Sequence, residues 1–183
     1  MKIAPTGLSG VFVIIPEVHR DERGYLFESF NTNSFKSQNI SMEFVQDNQV
    51  FSKKGVIRGL HYQLYFPQGK LVSVFQGEIY DIAVDIRVGS PTFGKYVGLN
   101  LSGENFKMLF IPKGFAHGYQ VLSKTAKVQY KCTNVYHPED EKGIVWNDNN
   151  IDIEWPINNP VLSEKDKNLP TLKTIDKGHL PRF

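Results

Sequence analysis

Gly77-Glu-Ile-Tyr-Asp-Ile-Ala-Val-Asp-Ile-Arg87 is the stretch on which the fold turns. Within it Tyr80, Ile82, Val84 and Ile86 alternate with Asp81, Ala83, Asp85 and Arg87. That period of two puts successive side chains on opposite faces of a β-strand. Just upstream, residues 70–75 read as a second strand, with Gln76-Gly77 marking the bend of a hairpin or a sharply turned strand. Further outward, short runs punctuated by Gly, Pro, Asn or Ser fall at 11–15, 25–30, 43–50, 56–63, 96–101, 107–111, 119–122 and 126–136. Helix signals are sparse: Asn31 or Thr32 can cap a short helix over 33–38, and Ser163 a turn reaching Lys167. About ten strands at this spacing, with so little helix, specify an all-β sandwich or barrel.

The 183 residues are one domain's worth of chain, long enough to bury roughly 70% of the extended surface without a staple. Hydrophobic content of 40%, aromatic content of 13% and charged content of 22% are globular values, which exclude disorder, collagen-like repeats and coiled coil. No window approaches the roughly 18 apolar residues of a membrane span. Pro5 and Gly7 stand where a signal peptide needs an apolar run, so a cytoplasmic protein without a membrane partner is expected. No boundary divides residues 1–183. The tail 167–183 loses the alternation and carries Pro170 and Pro181, so it is expected to wrap or fray. A net charge of +2 offers no basic field for nucleic acid. Cys132, the single cysteine, can form no internal bridge and reads as a packed apolar thiol in a strand.

Of the five histidines, His179 lies in the tail, His19 in a polar stretch that reads as solvated, and His137 at a strand-ending turn before Pro138. His61, in Gly55-Val-Ile-Arg-Gly-Leu-His-Tyr-Gln63, and His117, in Ile111-Pro-Lys-Gly-Phe-Ala-His-Gly118, each follow a glycine that permits a bulge or close backbone approach. The segment Pro112 to His117 resembles the second motif of the cupin jelly-roll barrels. Where the metal-binding cupins carry His-x-His and a Glu, this chain has His61-Tyr62-Gln63 followed by Lys70. Two histidines beside an ammonium fall short of the three ligands of a catalytic metal site, so no metal is expected. What remains suits proton transfer. A histidine poised near neutral pH can remove a proton next to a carbonyl, provided a positive group such as Lys70 meets the enolate oxygen. Returning the proton from the opposite face needs a second group. Tyr130 shares strand parity with Val128 and Cys132, and could supply it if that face lines a barrel interior.

In order and spacing, several segments together resemble the dTDP-4-dehydrorhamnose 3,5-epimerase family over roughly residues 10–172. They are Asp21-Glu-Arg-Gly24 with Phe27-Glu28, Val45-Gln-Asp-Asn48, Gly55 to Gln63, Gln68-Gly-Lys-Leu-Val72 and Gly77 to Arg87. They continue with Ser90-Pro-Thr-Phe-Gly94, Ile111 to Gly118, Trp146-Asn-Asp148, Ile153-Glu-Trp-Pro156 and Leu162-Ser-Glu-Lys-Asp166. The resemblance implies a metal-free cupin-type jelly roll with a few short helices and no cofactor. It also implies a homodimer that exchanges N-terminal strands, and inversion of carbon 3 and carbon 5 of a 4-keto-6-deoxy sugar carried on dTDP. By the same resemblance His61 is the base, Asp166 its orienting carboxylate, Lys70 the group near the keto oxygen and Tyr130 the opposing acid. Arg23, Arg58 and Lys165 match positions near the pyrophosphate. Glu28, Gln46 and Asn48 match positions around the thymine and ribose, Phe27 and Asp47 other substrate-binding positions, and His117 and Glu141 further substrate contacts.

Two features sit apart from this pattern. Arg58 and His61, three residues apart, face opposite ways on an ideal strand, so both reach one pocket only if Gly59 bulges or the strand ends there. Leu64-Tyr-Phe66 is more apolar than the family's usual loop and is expected to affect sugar packing or to form a dimer contact. The alternatives are a single-carbon epimerase on a related nucleotide sugar and a cupin that binds such a sugar without turning it over.

Overall fold

A computed structural model describes residues 1–37, 40 and 42–183. The alternating stretch forms β8 (Glu78–Asp85), and both of its faces are covered. Ile79 and Ala83 point into a core with Val72, Val74, Leu109 and Val128. Ile82, Val84 and the following Ile86 point the other way, under Leu60, Ile144, Ile151, Leu172 and Leu180. An apolar–polar alternation ordinarily leaves one face wet, yet here Asp81 and Asp85 are fully buried. Buried carboxylates need partners. Asp81 takes His117 at 2.8 Å, and Asp85 takes Arg87, Ser90 and Thr92 at 2.6–3.1 Å. Burial alone would raise the Asp85 carboxyl, but these hydrogen bonds bring it from 3.8 to about 2.

Among the described residues the other strands are β1 (Lys2–Pro5), β2 (Phe12–Ile15), β3 (Val18–Asp21), β4 (Gly24–Phe27), β5 (Gln46–Lys53) and β6 (Ile57–Gln63). They continue with β7 (Lys70–Gln76), β9 (Tyr96–Ser102), β10 (Met108–Ile111), β11 (Phe115–Val121), β12 (Thr125–Cys132) and β13 (Glu141–Gly143). A six-stranded sheet in the order β1-β2-β10-β7-β12-β5 faces a five-stranded sheet in the order β13-β6-β11-β8-β9, and β3 pairs only with β4. Every ladder is antiparallel. This is the cupin-type sandwich expected from the sequence.

The short helices begin where their caps stand. Asn31 accepts hydrogen bonds from the amides of Asn33 and Ser34 and starts α1 (Thr32–Lys36); Gln38, its expected end, lies outside the described residues. Ser163 caps α2 (Glu164–Lys167) through the Asp166 amide. Three strands were not foreseen: β1, β3 and β13. The run at 126–136 stops at Cys132, after which Thr133 turns back to the Gly69 carbonyl. Cys132 is buried, and burial pushes its thiol up, as suits a packing residue. In the C-terminal segment the Leu172 amide donates to Asp148 at 2.5 Å, and a parallel bridge joins Arg182 to Val88. Among the described residues no helix is long and apolar enough to cross a membrane.

Candidate active site

The ladder between β6 and β11 makes the site possible. His61 lies opposite His117 and Arg58 opposite Tyr119, so three steps on β6 span two on β11. This is the bulge that the Arg58–His61 spacing requires. Gly59 sits in it at φ +121°, and a Cβ there would lie 2.5 Å from the Gly118 Cα, so no other residue fits without displacing backbone. With the register shifted, Arg58 and His61 line the same cavity.

That cavity, about 620 Å³, opens between the two sheets and is the size of a small-molecule site. The five-stranded sheet contributes Arg58, His61, His117 and Tyr119, and the six-stranded sheet contributes Gln46, Asn48, Lys70 and Tyr130. Tyr136, Glu141, Lys165 and Asp166 also line it.

Two carboxylates approach the His61 imidazole. Nε2 is 2.7 Å from Asp166 Oδ1, and Nδ1 is 3.7 Å from Glu141 Oε1. Burial alone would raise the Asp166 carboxyl, but hydrogen bonds from His61, Ser163 and the Gly59 amide hold it below the usual range. An ionised Asp166 accepts only, so Nε2 carries the hydrogen and Nδ1 keeps its lone pair. On Glu141, burial is likewise outweighed by Lys165, the neighbouring His61 and the Tyr136 hydroxyl, which together keep it ionised.

Lys70 has no ion-pair partner among the described residues, and its ammonium sits 5.8 Å from the centre of the Tyr130 ring. Desolvation pulls it below the usual lysine range, against the pull of Cys132, Glu141 and Asp81. Burial raises the Tyr130 phenol, which therefore stays protonated at neutral pH. His117 is buried against Asp81, and desolvation lowers it towards the neutral form. The arrangement holds a base, a phenolic donor and an unpaired cation around one space, as carbon-acid proton transfer requires. Among the described residues no three His, Cys, Asp or Glu side chains are grouped to hold a metal.

Of the other expected positions, Gln46, Asn48, Arg58, Lys165, Glu141 and His117 all reach the cavity. Asp47 alternates to the outer face of β5 and pairs with Lys131 at 2.9 Å. Arg23, Phe27 and Glu28 lie away from the cavity because β3 and β4 form their own sheet. Arg23 pairs with Asp21 at 2.5 Å, Phe27 packs on Phe106 with ring centres 5.2 Å apart, and Glu28 takes Asn31 at 2.8 Å. Leu64-Tyr-Phe66 does not line the cavity. The Tyr65 and Phe66 amides donate to Asp140 at 2.8 Å, and the Phe66 ring stacks on His137 with centres 3.9 Å apart. Sequence reasoning missed Tyr136, hidden at the end of an expected strand, and Asp81, whose signal is an acidic residue inside an apolar strand.

A family described as dTDP-4-dehydrorhamnose 3,5-epimerase matches residues 5–174. The dTDP-4-dehydrorhamnose 3,5-epimerase of Shigella flexneri is 53% identical over 92% of this chain and 94% of that protein. An epimerase from Legionella pneumophila, solved in complex with dTDP-4-keto-L-rhamnose, superposes with a TM-score of 0.97 at 50% identity, covering 100% of this chain and 98% of that one. A 3′-monoepimerase from Streptomyces bikiniensis, solved with dTDP-quinovose, superposes with a TM-score of 0.91 at 32% identity, covering 98% and 92%.

Proposed function

This chain belongs to the dTDP-4-dehydrorhamnose 3,5-epimerase family, and on that footing we propose how its own residues carry out the reaction. The enzyme inverts carbon 3 and carbon 5 of dTDP-4-dehydro-6-deoxy-D-glucose to give dTDP-4-dehydro-L-rhamnose. Both carbons flank one carbonyl, so the same ketone acidifies both C–H bonds. His61 Nδ1 takes the proton, the C–H electron pair moves onto the carbonyl oxygen, and Asp166 stabilises the imidazolium. Lys70 has no ion-pair partner among the described residues, so its attraction is greatest where the enolate charge develops. Tyr130 then gives its proton to the carbon from the other side. Only protons move, so the chemistry calls for no redox cofactor.

The observation that carries this reading is the placement of base and acid. His61 stands on β6 of one sheet, Tyr130 on β12 of the other, and both line one cavity. Arg58 suits the pyrophosphate, since guanidinium pairs with phosphate oxygens through two parallel bonds, and Lys165, a point charge that also pairs with Glu141, suits its surroundings. Gln46 and Asn48 face the thymine and ribose, and His117 and Glu141 the sugar. Arg23, Phe27 and Glu28 serve from a second copy of the chain. Their hairpin stands apart from its own sheets, while β5, which bears Gln46 and Asn48, is an open edge of eight residues. The working form is thus a homodimer with exchanged N-terminal strands, acting on a nucleotide sugar in the cytoplasm. His61→Ala tests the base. Deuterium uptake from heavy water at carbon 3 and carbon 5 should vanish while dTDP binding stays within a few-fold, and persistent uptake would overturn the assignment.

A further inference from the structure

Inverting two carbons with one base and one acid requires a reset between them. After the first inversion His61 holds an extra proton and Tyr130 lacks one. With the sugar filling the space between the sheets, His61, whose side chain is only 23% exposed, cannot be reset across the ring. We propose that Glu141 is the outlet for that proton, carrying it from His61 to solvent past Tyr136, so that the second inversion can follow the first. This rests on the double inversion proposed above.

The path is laid out in three contacts. His61 Nδ1, the nitrogen left free by Asp166, is 3.7 Å from Glu141 Oε1. Tyr136 Oη donates to Glu141 Oε2 at 2.9 Å, and Lys165 Nζ donates to the same oxygen. Tyr136 is 47% exposed and the Lys165 side chain 52% exposed, so the path ends in water. His61 Nδ1 and Glu141 Oε1 close from 3.7 Å to hydrogen-bond distance, and the imidazolium N–H bond then breaks as a Glu141 Oε1–H bond forms, leaving neutral His61 and a carboxylic acid. A turn of the carboxyl group then brings that hydrogen to the Tyr136 oxygen, whose own hydroxyl hydrogen swings away from Glu141 and passes to water or a buffer base. Glu141 returns to a carboxylate, and the phenolate of Tyr130 takes up one proton from solvent, so the count closes at zero. Burial alone would raise the Glu141 carboxyl, but Lys165 beside it holds it below its usual range, so the carboxyl group passes the proton on and does not retain it.

The test compares wild type, Glu141→Gln and Tyr136→Phe on the dTDP-4-keto-6-deoxy sugar at several imidazole concentrations, with singly and doubly inverted products separated. Gln keeps the size and one acceptor oxygen but takes up no proton near neutral pH. The expected result for Glu141→Gln is turnover about a hundredfold or more lower, build-up of singly inverted sugar, and recovery of the second inversion as imidazole rises. Tyr136→Phe, which keeps its ring, should show the same buffer dependence to a smaller degree. A Glu141→Gln enzyme with raised KM but unchanged kcat and product ratio would make Glu141 a binding residue and overturn the proposal. So would a loss that imidazole does not restore. Wild type that yields no doubly inverted product would instead overturn the double inversion itself.

Discussion

At the Tyr130 hydroxyl, burial holds the proton in place, whereas at His61 an ionised Asp166 fixes the tautomer that leaves Nδ1 free to accept one. On the proposed mechanism the two side chains divide the work because their surroundings differ. Removing only the phenolic oxygen tests that division. Tyr130→Phe should lower net inversion by roughly two or more orders of magnitude, while label washes out of carbon 3 and carbon 5 because His61 still removes protons. Ordinary inversion by that variant, followed by NMR, would mean water or another group delivers the proton. From residues alone, His61, Lys70 and Tyr130 could be picked out by their chemistry, but Asp166 could not. It is one charge among four in Glu164-Lys-Asp-Lys167, and only the Ser163 cap turns it inward. Asp81 escaped for the opposite reason, since a carboxylate on an alternating strand reads as solvent-facing until the covering layer is known.

Among the elements, β6 carries the most information per residue. Its bulge at Gly59 turns Arg58 and His61 onto one cavity, and the spacing alone showed that such a bulge was needed. Gly59→Ala would force a left-handed φ on a side chain and press a Cβ onto Gly118. It should destabilise the fold by about 2 kcal/mol or more, read by denaturant melts. Whatever enzyme remains folded should lose turnover as well, because the bulge holds His61 and Arg58 to one cavity; a stable, fully active Gly59→Ala would contradict this. Strand periodicity made β8, β7 and β9 legible. β1, β3 and β13 were not, being only three or four residues long, too short for a period of two to stand out. β11 begins at Phe115, earlier than read, because the glycine-bracketed motif around His117 looks like a loop in sequence but runs as ladder against β8.

For the molecule as a whole, one chain brings His61, Tyr130 and Lys70 to one cavity, while the hairpin bearing Arg23 stands apart from it. If a second copy completes the site, mixing Arg23→Ala and His61→Ala dimers under subunit exchange should restore activity towards about a quarter of wild type, since half the dimers are hybrids with one intact site. No recovery would place the whole site within one chain. The broad architecture was legible because strand spacing and composition left few all-β alternatives. The pairing of each sheet's contributions across the cavity was not, since it depends on contacts between residues as distant as His61 and Asp166. The most direct measurement is NMR of dTDP-4-keto-6-deoxyglucose turned over by the wild-type protein in heavy water. With His61 and Tyr130 working from opposite sheets, deuterium should enter both carbon 3 and carbon 5 of a product with both centres inverted. Deuterium at one carbon only, or label exchanged with no inversion, would contradict a single base and a single acid serving both steps.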